Sequence, residues 1–203
     1  MSNVLVAVSE FFIYAVAAVF AQNAVFSRAL GVSRLVKLVD DPTVDTIVFG
    51  GLLCLIQVIA APMTYYSNIW IHGFKYRAAV RPLVFVLCST LAFLIVMILI
   101  LKLYKNPGAK DVVAVLPMAT FNSAVMGTLL ISATQSFTLL QTEAFALGSG
   151  VGYVLAVVVV NEAQRKLRSR AVPAAFKGLP ITLLYIGILS LAIYGFIGHR
   201  PAI

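Results

Sequence analysis

The sequence predicts an all-α, polytopic membrane protein of six transmembrane helices, arranged as two inverted three-helix repeats with helices 1 and 4 interrupted. Three observations lead there. Of the 203 residues 62% are hydrophobic and only 11% charged, and the mean hydropathy is +1.02. So few charges cannot cover the surface of a soluble domain of this length. The charges are also clustered, leaving six apolar stretches of roughly 20 residues, the length that crosses a hydrocarbon core of about 30 Å. Finally, two of these stretches carry a similar polar interruption, "FAQNAVFSRALG" near the end of the first and "ATFNSAVMGTLL" in the middle of the fourth.

The stretches are Val4–Val25, Thr46–Tyr66, Pro82–Tyr104, Val112–Ala133, Ala144–Val160 and Pro180–Ile197. The first lacks a basic leader, carries Glu10 and runs on to Arg28, so a cleavable signal peptide is not expected. The longest connection between stretches is 20 residues, too short for a soluble domain. The whole chain, residues 1–203, therefore reads as one membrane domain with halves 1–104 and 105–203. Three spans is an odd number, so a second copy of such a unit enters the membrane from the opposite face. That is the inverted-repeat plan, in which interrupted segments at matching positions mark the functional centre.

The excess of Lys and Arg, net +8, is read as topological, and no nucleic-acid partner is expected. Arg28, Arg34, Lys37, Lys102, Lys105, Lys110, Arg165, Lys166, Arg168, Arg170 and Lys177 fall in the connections of one side. Lys75, Arg77, Arg81 and Arg200 fall on the other. The positive-inside bias puts the first set in the cytoplasm and both termini outside, in a multi-pass protein of the cytoplasmic (inner) membrane. Cys54 and Cys88 lie within spans, without a CxxC or a Cys/His cluster, and read as small apolar core residues. No metal ligand and no catalytic residue is assigned.

At membrane depth a polar interruption has two readings. Asn23, Asn122 and Ser123 can patch a broken helical ladder, since an amide side chain both donates and accepts. Alternatively, with Ala24, Ala124 and Gly127 beside them, they can make a close helix–helix contact in unbroken helices. Gln57, near the centre of span two, is an interhelical hydrogen-bond donor or a further lining residue of a midplane site. Glu10 is the one carboxylate inside a span, and serves either a cation relay or an interfacial pairing. Span five opens with "GSGVGYVLAVVVV", where Gly148, Gly150 and Gly152 make a flat face for helix packing. No strand precedes this run, so it is not a nucleotide loop.

The segments "VPAAFKGLPITLLYIGILSLAIYGFIG", "ALGSGVGYVLAVVVVNEAQRKL", "TFNSAVMG" and "QNAVFSRALGVSR" together resemble the membrane subunits of the Rnf and Nqr electron-transport complexes. The resemblance is to the RnfA/NqrE branch and covers essentially the whole chain. It implies a six-helix fold of two inverted halves, paired with a second such subunit. It also implies an iron–sulfur cluster between the two subunits, held by cysteines in the interrupted helices, with electron flow coupled to ion pumping. This chain departs from the pattern at the ligands. The family motif Thr-Asn-Cys-Ala-Val is here Phe121-Asn122-Ser123-Ala124-Val125. In the first half Leu30-Gly31 joins directly to Val32-Ser33, so that cysteine is deleted or replaced by Ser33. A neutral hydroxyl is a poor substitute for a thiolate on iron.

Two functions follow from these residues. In one, the chain is a membrane subunit of an Rnf/Nqr-like ion-translocating complex, non-catalytic or accessory, binding no cofactor alone, with cluster or flavin on partner subunits. In the other, it is a redox-inert paralogue that transports or conducts a small solute or ion. Its site would then be Asn23, Asn122, Ser123 and Gln57, with the Gly148–Gly152 face as one surface for a homodimer.

Overall fold

The computed structural model describes residues 2–40, 46–103, 109–167 and 172–198. Lys105, Arg168, Arg170, His199 and Arg200 lie outside the described residues. The elements are α1 (Ser2–Val19), α2 (Val32–Asp40), α3 (Thr46–Ile71), α4 (Arg77–Leu103), α5 (Ala109–Thr120), α6 (Ser123–Thr134), α7 (Leu139–Leu167), a 3-10 turn (Ala174–Phe176) and α8 (Leu179–Ile197). Among the described residues there is no strand.

Helices α3, α4, α7 and α8 are each long and apolar enough to cross a membrane, and α5 with α6 forms a fifth candidate bent by 48°. The first predicted span does not run to Val25. Its apolar helix ends at Val19, and residues 20–31 form turns before α2 begins. The long helices overrun the apolar stretches instead. Helix α7 starts at Leu139 and ends at Leu167, taking in Gln141, Glu143 and Asn161. Helical hydrogen bonding does not stop where hydrocarbon gives way to headgroups, so hydropathy marks the lipid layer and not the helix ends.

Helix α7 is the central post, with α1 and α3 packed along it. Small residues decide how close they come. A Cβ on Gly148 would lie 2.2 Å from the Ala15 carbonyl oxygen of α1, and one on Gly150 would lie 2.3 Å from Cys54 Sγ of α3. One on Gly152 would meet the Val19 backbone at 3.1 Å. The Gly148–Gly152 face is thus consumed inside the chain by α1, which corrects its reading as a surface for a second copy. Van der Waals contact at such short range is the main attraction between helices in lipid, where burial of apolar surface drives nothing.

The core formed this way contains Phe49, Leu53, Ile56, Phe85, Leu116, Leu129, Tyr153 and Val157. Helix α4 packs against α3, α5 and α6. Helix α8 sits at the edge, burying only Thr182 and Ile186. A hydrogen bond of 2.8 Å from Gln164 Nε2 to Thr182 Oγ1 ties α8 to α7. The remaining faces of α4 and α8 present Leu, Ile and Val outward, as lipid-facing surfaces do.

Candidate functional site

The first interruption is organised by one side chain. Asn23 is 1% exposed. Its Nδ2 donates to Val19 O at 2.8 Å and to Gly152 O at 3.0 Å. Its Oδ1 accepts from Val25 N at 2.9 Å and Phe26 N at 3.2 Å. The amide therefore closes the end of α1, opens the turn that follows, and grips α7 at its glycine. The helix is broken here and not continuous, and the amide that patches the break also touches the backbone of α7.

The second interruption is built from Pro117 and Asn122. Pro117 cannot donate to the carbonyl four residues earlier, which weakens the ladder of α5. Helix α5 stops at Thr120, and Asn122 takes an extended conformation (φ −80°, ψ 137°) and caps α6, its Oδ1 accepting from Ala124 N at 3.0 Å. An Asn at this position satisfies an amide that the preceding turn leaves without a partner.

The two interruptions meet at Gly31. Its amide donates to Ser123 Oγ at 2.8 Å, and its carbonyl accepts from the Tyr153 hydroxyl at 3.1 Å. Gly31 has φ +72°, and a Cβ there would lie 2.5 Å from the Tyr153 ring and 2.8 Å from Asn122 Oδ1. Only glycine fits both the backbone and the space. Ser33 stands two residues further on in α2 and lines one groove together with Ser123. Gln57 lies elsewhere. It is fully buried against the middle of α6, where its Nε2 donates to Thr128 Oγ1 at 3.2 Å, and Thr128 Oγ1 is 2.6 Å from Ser149 Oγ. Its Oε1 is buried without a partner.

These residues do not fit an iron–sulfur cluster. Ser123, at the family's cysteine position, already accepts from the Gly31 amide. The two thiols are engaged elsewhere: Cys54 packs against Gly150, and Cys88 lies 3.4 Å from the Ser67 hydroxyl. Among the described residues no group of three His, Cys, Asp or Glu side chains could hold a metal.

Sequence reasoning singled out Asn122 and Ser123, which the fold brings together at Gly31, and Asn23, whose bonds run instead to Val19, Gly152, Val25 and Phe26. It missed Gly31, Tyr153, Arg34, Thr128 and Ser149. Tyr153 follows the glycine run directly and was the available signal, as the single phenol in an otherwise apolar span. The position of Arg34 could not be read, because α2 follows a stretch of turns whose direction the sequence does not specify.

Fold and site together define a polytopic α-helical membrane protein whose two interrupted segments are joined in its interior. Residues 11–199 match the family model described as Rnf-Nqr subunit, membrane protein, and the chain belongs to that family. It is 28% identical to the A component of the Na(+)-translocating ferredoxin:NAD(+) oxidoreductase complex of Acetobacterium woodii, over 91% of this chain and 95% of that protein. It is 29% identical to the A component of the ion-translocating oxidoreductase complex of Syntrophotalea carbinolica, over 92% and 95%. The E component of the Na(+)-translocating NADH-quinone reductase of Ectopseudomonas mendocina is 28% identical, over 90% and 95%.

Proposed function

We propose that the chain is an integral membrane subunit of an Rnf/Nqr-type ion-translocating electron-transport complex, with the redox centres carried by other subunits. The observation that carries this reading is the knot at Gly31. A hydrogen bond to Ser123 joins the two interruptions across 92 residues of sequence, where the family resemblance implies its cluster ligands, and one from Tyr153 ties the first interruption to α7 across 122. On this reading the two interruptions stay apposed, while the sulfur ligand is replaced by Ser123 in the second half and deleted or replaced by Ser33 in the first. This supports a part that holds the membrane geometry of the complex without itself carrying the electron.

The same reading treats residues 1–104 and 105–203 as inverted repeats; the described elements of each are an interrupted segment followed by two long helices. It places the protein in the cytoplasmic membrane with both termini outside, on the charge distribution, and paired with a second six-helix subunit. Asn23, Asn122 and Ser123 hold the interruptions. Gln57, with the hydroxyls of Thr128 and Ser149, offers a buried cluster of oxygen atoms suited to a hard cation.

The test is purification from native membranes at natural abundance, with identification of companion chains, iron content and the visible spectrum. Flavin or iron–sulfur subunits in fixed ratio are expected with this chain. The chain produced alone is expected to be colourless and iron-free. Recovery without any redox subunit, together with solute uptake by vesicles containing this chain alone, overturns the reading in favour of an independent transporter.

A further inference from the structure

Three packed helices share a seam, and buried polar side chains recur along it. On α3 Gln57 and Thr64 lie seven residues apart, on α6 Thr128 and Ser132 lie four apart, and on α7 Thr142 and Ser149 lie seven apart, so each pair shares a helix face. All six are buried, on helices that pack against one another. One end of the seam opens as a cleft of about 30 Å³ lined by Thr64, Tyr65, Asn68, Ser132, Ser136 and Thr142, of which Ser136 is exposed. A water needs roughly 10–15 Å³ of such space, and an organic ligand roughly 300 Å³ or more. The cleft therefore admits water or a small ion and excludes an organic solute.

The hydroxyl hydrogens along the seam are spent on the backbone. Thr64 donates to Ala61 O at 2.9 Å, Ser132 to Thr128 O at 3.0 Å, Thr142 to Thr138 O at 2.8 Å and Thr128 to Ala124 O at 2.7 Å. A hydroxyl has a single hydrogen, so each of these has only lone pairs left to offer. The same count fixes the inner end. Thr128, its hydrogen used, can only accept, from Gln57 Nε2 at 3.2 Å and from Ser149 Oγ at 2.6 Å. That sets the Gln57 amide with Nε2 toward Thr128, and leaves Oε1 fully buried without a partner. Ser149, having donated, likewise keeps its lone pairs. An unmatched amide oxygen at this depth is costly, and among the described residues no donor reaches it.

We propose that Gln57 Oε1 and Ser149 Oγ bind a small monovalent cation that enters along the seam from the cleft. This rests on the reading of Gln57, Thr128 and Ser149 as a hard-cation cluster, and gives that cluster its ligand atoms, its charge class and its route. The bonded members of the cluster are an amide and two hydroxyls, all neutral. Ligand charge sets affinity at oxygen sites, so neutral donors hold a monovalent ion weakly and do not repay the dehydration of a divalent one. Weak binding suits passage, because an ion held tightly does not leave. An anion finds lone pairs facing it and is rejected.

The full chain, purified alone in neutral detergent, is titrated with sodium chloride against choline chloride at equal ionic strength, with thermal unfolding as the readout. At about ten times the Kd the wild type gains roughly 3 °C over its choline control, the size expected for a chain of this length. The gain is lost in Gln57→Leu and in Ser149→Ala, each compared with its own choline midpoint. It is kept in Ser9→Ala, which removes an exposed hydroxyl of α1. No sodium-specific gain in the wild type means that water completes the Gln57 oxygen, and overturns the proposal. So does a gain that persists undiminished in either site variant. Sodium is measured on this chain alone, so a wild type that lacks the gain yet co-purifies with redox subunits overturns the site and leaves membership of the complex standing.

Discussion

Replacing Asn23 by leucine removes four hydrogen bonds at once while keeping the side-chain volume. Two backbone donors, Val25 N and Phe26 N, lose the acceptor that the turn provides for them, and the carbonyls of Val19 and Gly152 lose a donor. Each buried donor left unmatched costs about 1–3 kcal/mol, so the two amides alone cost about 2–6 kcal/mol. That exceeds the ~0.6 kcal/mol average measured for side-chain hydrogen bonds between membrane helices, where the separated groups find other partners. Here they cannot, because the turn holds both amides in the protein interior. Asn122→Leu is the comparison. It removes one cap bond, to Ala124 N, at a cost of about 1 kcal/mol. The assay is size-exclusion chromatography of detergent-solubilised protein after graded heating. With roughly 2–4 °C of melting temperature per kcal/mol at this chain length, Asn23→Leu should melt at least ~4 °C below wild type, and clearly below Asn122→Leu. If the two variants melt together, or Asn122→Leu melts lower, Asn23 is not the organiser of the first interruption.

Gly148→Val should separate α1 from α7, since its Cβ would meet the Ala15 carbonyl at 2.2 Å, and the variant should elute as aggregate. Gly187→Ala, with nothing within 4 Å of the added Cβ, should leave elution unchanged and melting equal or raised, alanine being favoured over glycine in helices by about 0.5–1 kcal/mol. Gln57→Leu removes a buried oxygen that has no partner as well as the bond to Thr128, so stability should change by less than about 1 kcal/mol. Ion uptake by vesicles containing the assembled complex should nevertheless fall several-fold. Unchanged uptake would remove Gln57 from the ion path.

How much of the site was legible depended on distance along the chain. Asn23 and Asn122 stand out because a polar amide in an apolar run has no cheap alternative to being paired. The knot they support was not legible, because Gly31 is 92 residues from Ser123 and 122 from Tyr153. Nothing in the local pattern of any of these three residues specifies the other two. The glycines of α7 show the same division. Their spacing announces a flat helix face, but whether α1 or a second molecule fills it depends on where the first helix ends. Hydropathy placed that end at Val25. The backbone turns after Val19, six residues earlier, because Asn23 reaches back to bond the Val19 carbonyl.

Composition and charge clustering alone determined the membrane class and the approximate place of each long helix, since the cost of exposing peptide groups or charges to lipid depends only on local residue type. That the sulfur ligands implied by the family resemblance are missing is a matter of residue identity at Ser123 and in the Leu30–Ser33 segment. Only the tertiary structure decided that the two interruptions touch, that the Ser123 hydroxyl is engaged there, and that Arg34 lines a groove together with Asn122 and Ser123. Those outcomes come from packing between segments distant in the chain, where close approach at glycines and mutual hydrogen-bond satisfaction select one arrangement among many that the same residues could locally allow.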